Sequence, residues 1–408
     1  MKKVLVIGYV WPEPNSSAAG SHMLSLLRLF KQQGWQVEFT SPAQETLHQI
    51  NLADEGISQQ AIRLNCDSFD VYVADYNPDI VLFDRFMMEE QFGWRVDKAC
   101  PNTIKILDTE DLQSLRHARH QALKRNRELV DADLASDIAK REIAAILRCD
   151  LSLIISPHEI TLLTDYFKVD SALLHWLPFM VQLDKLPEAT LSFGQRQHFI
   201  TIGNFRHTPN WDAVLYLQSL WPKIKTHLPN AECHIYGAYP PPKATALHNP
   251  KSGFLIKGWA ENALTVMEQA RVCLAPLRFG AGLKGKLLDA MMMQTPSITT
   301  LVGSEGMHGQ EPWPGQIAHS DEDFIHAAVS LYQNSEQWSL AQSHAHTLLG
   351  QRYDANRLGT ELINKIQTVT DNLEQHRLAN FTGAMLKHHT LASTRYMSQW
   401  IAAKQQQQ

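Results

Sequence analysis

Ala275-Pro276-Leu277-Arg278-Phe279-Gly280-Ala281-Gly282-Leu283-Lys284-Gly285-Lys286-Leu287-Leu288-Asp289-Ala290-Met291 leaves an apolar run, Val272–Ala275, and enters a segment of helical period. Strand, glycine-rich loop and helix in that order make one unit of a doubly wound α/β sheet, whose ligands bind outside the carboxyl ends of the strands. Three glycines leave backbone N–H groups bare in the loop. Lys284 and Lys286 stand in the first helical turn, where the helix dipole disfavours cations. A bound anion resolves that conflict: a diphosphate satisfies the lysines, the amides and Arg278 together. The competing reading is a plain turn followed by an ordinary i,i+3 ion pair, Lys286–Asp289, on a solvated face. Asp289 lies about one turn further on, within reach of the sugar of a nucleotide whose phosphates occupy the loop.

The same alternation extends in both directions. Upstream of it, in the second half of the chain, strands are expected at Phe199–Ile202, Cys233–Tyr236 and Phe254–Ile256, and downstream at Ser297–Thr300 and Gln316–Ala318. An independent series occupies the first half: Val4–Ile7, Val37–Thr40, Ile80–Phe83, Ile104–Leu107, Leu151–Ile155 and Leu173–Leu177. The first helix is expected from Ala18 to a glycine stop at Gly34, and one long helix from Leu112 to Leu147. Its charged run, Lys124-Arg125-Asn126-Arg127-Glu128, reads as a solvated face. Periodicity lapses around Gln182–Glu188, a linker, and the chain beyond Asp321 reads as helical, with Gln405–Gln408 frayed. The organisation expected is α/β: two doubly wound domains, 1–180 and 181–350, facing each other across a cleft, and carboxyl-terminal helices over 351–408.

Composition agrees with that size. A chain of 408 residues holds two or three domains at roughly 150 residues each. With 44% hydrophobic and 19% charged residues it is globular, neither disordered nor fibrous. Thirty-seven basic residues against 42 acidic give a net charge of -5, which supplies no cationic field for nucleic acid. Five scattered cysteines without a C-x-x-C pair fit a reducing cytoplasm and argue against structural zinc. The short apolar run before Gly8 reads as a strand and lacks a secretory core, and no run of ~20 apolar residues is present. Cytoplasmic location is the expectation, with peripheral membrane contact left open.

Other strand-end loops carry further candidates. In Gly203-Asn204-Phe205-Arg206-His207-Thr208-Pro209-Asn210, Thr208 reads as a helix cap before Pro209. Arg206 and His207 remain for phosphate or acceptor contacts. The loop Gly8–Gly20 lacks a G-x-G-x-x-G fingerprint, which weakens a dinucleotide reading, although the small residues Ser16–Gly20 admit close approach by a ligand. Asp108-Thr109-Glu110-Asp111 gathers carboxylates able to orient or deprotonate an acceptor, with helix capping by Asp111 as the equal alternative. Ser156 and Glu159 have capping-box spacing, and His117 and His120 read as solvated helix face. No G-x-S-x-G, H-E-x-x-H or Walker pattern occurs.

Taken together, Gly203-Asn204 with His207 and Pro209-Asn210, the Ala275–Lys286 loop with Asp289-Ala290-Met291, and Gly303-Ser304-Glu305-Gly306 resemble the GT-B glycosyltransferases of family 4, the group 1 glycosyltransferases. Leu107–Asp111 with Arg116, and Ser156 with Glu159, extend the resemblance into the first half. It implies two Rossmann-like domains, a nucleotide-diphosphate-sugar donor held by the second, a glycan or lipid-linked acceptor held by the first, and transfer with retention and without a metal or other cofactor. It implies donor contacts at Gly203, Gly280, Gly282, Leu283, Lys284, Lys286, Asp289 and Glu305. Lys284, Arg278 and Arg206 fall to catalysis, and Gly20, Asp111 and His207 to the acceptor side of the cleft. The family pattern has two glutamates eight positions apart; here the later is Asp289 and the earlier is Ala281, so the sugar-contacting carboxylate is missing. A GT-B nucleotide-sugar epimerase and a catalytically silent nucleotide- or glycan-binding module are the alternatives.

Overall fold

The computed structural model describes residues 1–187, 191–388 and 396. Its first sheet contains β1 (Lys3–Ile7), β2 (Gln36–Ser41), β3 (Ser58–Ala61), β4 (Ile80–Asp84), β5 (Ile104–Asp108), β6 (Leu151–Ile154) and β7 (Leu174–Trp176). All are parallel, in the order β3-β2-β1-β4-β5-β6-β7. Alternate residues of β1 go to opposite faces: Leu5 and Ile7 join one core with Val81 and Phe83, while Val4 and Val6 join another with Ile80 and Leu82. Burial on both faces is why these strands read as unbroken apolar runs.

The second sheet contains β8 (Gln197–Ile202), β9 (Cys233–Tyr236), β10 (Phe254–Gly258), β11 (Ala270–Ala275), β12 (Ser297–Thr300) and β13 (Gly315–Ala318), again all parallel, in the order β10-β9-β8-β11-β12-β13. In each sheet the order reverses beside the first strand of its series, which opens a crevice between β1 and β4 and another between β8 and β11.

Two expectations fail. The polar strand β3, Ser-Gln-Gln-Ala, carries no apolar signal because all four residues are exposed at a sheet edge. The expected 112–147 helix is broken into Gln113–Lys124, Asp131–Leu134 and Asp137–Arg148. Asn126 takes a left-handed φ of 49°, and Arg127 N–H returns to the Ala122 carbonyl. Ser136 then caps a new helix by accepting from Ala139 N–H at 3.2 Å. The charged run is therefore a helix end and turn, not a helix face, with Arg127 paired to Asp133 at 2.6 Å.

The first helix, Ala18–Gln32, does stop at a left-handed Gly34. Beyond the second sheet, Ser335–Arg352 packs on that sheet's domain through Trp338 and Ala341, whereas Ala355–Asp371 returns to the first domain and buries Leu358, Leu362 and Ile366 against Val4, Leu26 and Phe30. The chain thus crosses between the lobes twice, and the crossings are joined: Val181 N–H donates to the Tyr353 carbonyl at 2.7 Å and Ala355 N–H to the Val181 carbonyl at 2.9 Å. Helices continue to Lys387, with Arg377 held bidentately on Asp150. Glu188 of the expected linker and the Gln405–Gln408 tract lie outside the described residues. No helix among the described residues is long and apolar enough to cross a membrane.

Candidate active site

The loop after β11 leads into the helix Gly285–Met292, with Lys284 at its cap position. Lys284 and Lys286 are 8% and 9% exposed. The first sends Nζ to the carbonyls of Gly282 (2.6 Å) and Ala281 (3.3 Å), and the second sends Nζ to Asn210 Oδ1 at 2.8 Å. Burial pushes both amines down to about 8. The solvated Lys286–Asp289 ion pair of the competing reading is not formed; burial lifts the Asp289 carboxyl to about 7, against the pull of Lys286. Two desolvated cations resting on neutral oxygens at a helix amino terminus form a ready seat for an anion.

The loop after β8 supplies the opposite wall of this seat. Its helix starts at Thr208 with His207, not Thr208, in the cap position. Asn210 does more than begin a helix, since it bridges Lys286 to the Asn204 carbonyl, which it reaches through Nδ2 at 3.1 Å. Gly203 faces that side chain closely, and a Cβ there would lie 2.6 Å from Asn210 Nδ2. Arg206 is exposed and lies 3.6 Å over the Tyr239 ring. Arg278 is committed to Asp212 on the same helix and stacks on Tyr216, so its guanidinium is engaged rather than free. His207 reaches solvent in the cleft, and its crowded position and the Arg116 guanidinium lower its pKa.

The first domain closes directly on the Gly280–Lys286 loop. Gly282, at φ +60°, presses on Asp111, where a Cβ would come within 2.8 Å of the Asp111 Cβ. A Cβ on Gly285 would meet the Ala18 methyl at 2.4 Å, and one on Gly306 the Ser156 Oγ at 2.4 Å. Leu283 is buried beside Ile155. The small residues after β1 are therefore approached by protein: Ala18 by Gly285, and Gly20 by the Glu13 backbone, 2.5 Å from its would-be Cβ. Gly280 alone of the loop's glycines opens onto free space, with only Lys284 Cε at 3.6 Å.

Glu305, expected at the donor, is gripped by Arg119 through two 2.8 Å bonds and approached by His158 at 3.5 Å. Burial would raise its pKa, but the Arg119 bonds hold it below the ordinary value. Arg119 also reaches the Gly280 carbonyl, and His120 stacks on Phe279 at 4.4 Å instead of facing solvent. Glu159 makes no capping box. Fully buried, it accepts from Leu112 N–H at 3.0 Å and from Gly282 N–H at 2.8 Å. Asp111 does not cap the following helix either: it pairs with Arg116, while Glu142 caps that helix from the Gln113 and Ser114 amides.

Behind Asp111, at the carboxyl ends of β4 and β5, Asp84, Asp108, Glu110 and His22 are buried together next to Arg85. Burial and the Asp84 charge lift the Asp108 carboxyl above its ordinary range, and burial and the Asp108 charge lift that of Glu110. Carboxyls whose burial and mutual repulsion favour the protonated form suit proton exchange with a hydroxyl. Asp108 and Glu110 carried a sequence signal. Arg119, His22 and Asp84 did not, because nothing local distinguishes them from ordinary helix and strand residues.

Residues 196–334 match the family described as glycosyl transferases group 1. No curated protein matches the chain. Among solved structures, sucrose-phosphate synthase from Thermosynechococcus elongatus aligns at TM-score 0.67 and 12% identity over 90% of this chain and 99% of its own. TarM of S. aureus aligns at 0.69 and 10% over 90% and 98%, and Anabaena HepE in complex with UDP and glucose at 0.67 and 10% over 90% and 100%. Such likeness shows the fold: two Rossmann-like domains of GT-B type, as the sequence resemblance implies.

Proposed function

We propose that this chain, a group 1 glycosyltransferase by its second domain and of GT-B architecture throughout, moves a sugar from a nucleotide-diphosphate donor to a glycan or lipid-linked acceptor with retention. The observation that carries the reading is the pair of buried lysines at the head of the Gly285–Met292 helix. Each loses solvation without gaining a carboxylate partner within ion-pair distance among the described residues. A departing diphosphate develops charge where those amines already stand, and in a desolvated site the attraction is far larger than in water. Asp289, one turn on, accepts from the ribose hydroxyls.

The acceptor enters from the first domain, where Asp108, Glu110 and Asp111 gather at the ends of the strands and His207 faces them across the cleft. At the family's first glutamate position, Ala281 packs into the first domain's core, so the donor sugar is read by other groups. The lysines supply the cationic charge that a metal provides elsewhere, and transfer proceeds without one.

A thermal-shift series with UDP, GDP, ADP, CMP and NAD, followed by turnover with the corresponding sugar nucleotides, tests the reading. One nucleoside diphosphate is expected to stabilise the protein, by about 2.7 kcal/mol at a hundredfold excess over Kd. No shift with any diphosphate overturns it. A shift without turnover favours the silent binding module, for which Ala281 is the supporting feature.

A further inference from the structure

The amides of a glycine loop are the expected seat of phosphate oxygens, yet the Gly282 N–H points at a side chain of the other domain. Glu159 Oε1 takes it at 2.8 Å and takes the Leu112 N–H, at the head of the Gln113–Lys124 helix, at 3.0 Å. The same Gly282 offers its carbonyl to Lys284 Nζ at 2.6 Å. A continuous path thus runs from the first domain to the lysine through the two peptides that flank the Gly282 Cα: Glu159 holds the Gly282 N–H, and Lys284 Nζ donates to the Gly282 carbonyl at 2.6 Å and, at 3.3 Å, to the Ala281 carbonyl, which shares a peptide with that N–H. Neither peptide can shift without disturbing the other, because Gly282 between them is left-handed and closely flanked by Asp111 and Ile155. Glu159 itself is 0% exposed, and its second oxygen, Oε2, has no hydrogen-bond partner among the described residues. An acidic side chain buried at such cost, with one oxygen spent on two amides, asks for a role beyond packing.

We propose that Glu159 is a positioning residue for the transfer: by holding the Gly282 peptide against the first domain it sets the direction of the Lys284 amine and makes lysine placement conditional on domain closure. This rests on the reading of Lys284 as the diphosphate-facing cation. An open cleft separates Glu159 from Gly282 and frees that peptide. A closed cleft restores the bond and returns Lys284 to its place. The donor lobe is then fully assembled only when the acceptor lobe is docked, which withholds the leaving-group cation from a donor bound alone and protects the sugar nucleotide from hydrolysis.

The test uses the full chain and Glu159→Ala beside Glu159→Gln, whose amide oxygen keeps the acceptor. Amide hydrogen exchange over residues 279–285 is expected to rise tenfold or more in Glu159→Ala, with Glu159→Gln near wild type. With whichever sugar nucleotide the protein turns over, Glu159→Ala is expected to lower kcat at least tenfold while the donor KM stays within twofold, and Glu159→Gln to recover most of that loss. Unchanged exchange in Glu159→Ala overturns the inference. So does a fall in turnover that merely tracks the folded fraction measured by thermal melting. If Glu159→Ala does not fold, Glu159→Asp replaces it: one methylene shorter, it is expected to lose the exchange protection, and retained protection refutes the idea. Because exchange needs no substrate, a protein that turns over no sugar nucleotide sinks the functional reading and leaves this one to be decided separately.

Discussion

Lys284 and Lys286 each rest on a neutral oxygen while buried at a helix amino terminus. Replacing both by Ala is expected to cost several kcal/mol of transition-state stabilisation, scaling from the ~3–4 kcal/mol of a single oxyanion donor, with melting temperature preserved; kcat/KM and a thermal melt check both halves. Asp289 gives a pH test with a definite sign. Its folded pKa of about 7 lies above the ordinary 3.8, so on raising the pH the unfolded chain releases this proton first. Stability therefore falls between those two values, by at most about 1.4 kcal/mol per pH unit. Asp289→Asn removes that slope: it should melt close to wild type near pH 4 and above it at pH 8. A pH-independent gap refutes the assignment. The same variant is expected to lose ~1.5–3 kcal/mol of affinity for the nucleoside diphosphate that binds, less for its 2′,3′-dideoxy analogue, as titration of both ligands will show. The lysines were legible because their oddity is local: two cations in the first turn of a helix. Glu159 and Arg119 were not, since their partners Gly282 and Glu305 lie 123 and 186 residues away and no local pattern announces such pairings.

The glycines of the loop after β11 divide by environment. Gly282 combines a φ of +60° with Asp111 against its Cα, whereas Gly280 faces open space. Gly282→Ala is expected to destabilise by about 1–3 kcal/mol and to loosen the lobes, while Gly280→Ala stays within about 1 kcal/mol in a denaturant titration. Equal effects would refute the division. Twelve strands were legible, most plainly the central ones such as β1, β4 and β11, whose apolar runs buried on both faces leave a dense signal. The edge strand β3 left none, being polar and exposed. The break in the expected 112–147 helix was written in Asn126 and Ser136, a left-handed residue and a cap, but the surrounding apolar period masked both.

The two-lobed architecture was legible from the doubled alternation of strand and helix; the way the lobes meet was not, because glycines that suit a phosphate loop equally suit close contact between domains. Activity is expected to survive EDTA, since the cations at the donor seat are side chains. Loss of turnover on chelation, restored by manganese or magnesium, would count against this. The carboxyl-terminal return predicts coupling over a long stretch of sequence: Leu362→Ala, in a helix after the second domain, should cost 2–5 kcal/mol in the first, seen as an earlier melt of that lobe by calorimetry. The joined crossings at Val181 and Tyr353–Ala355 carry a consequence of their own. A single strap lets two bodies swivel and tumble, but two straps fastened side by side behave as a hinge with one axis. The lobes are therefore expected to swing along one arc, each reopening retracing the path of closure and returning the same residues to the same partners on each cycle.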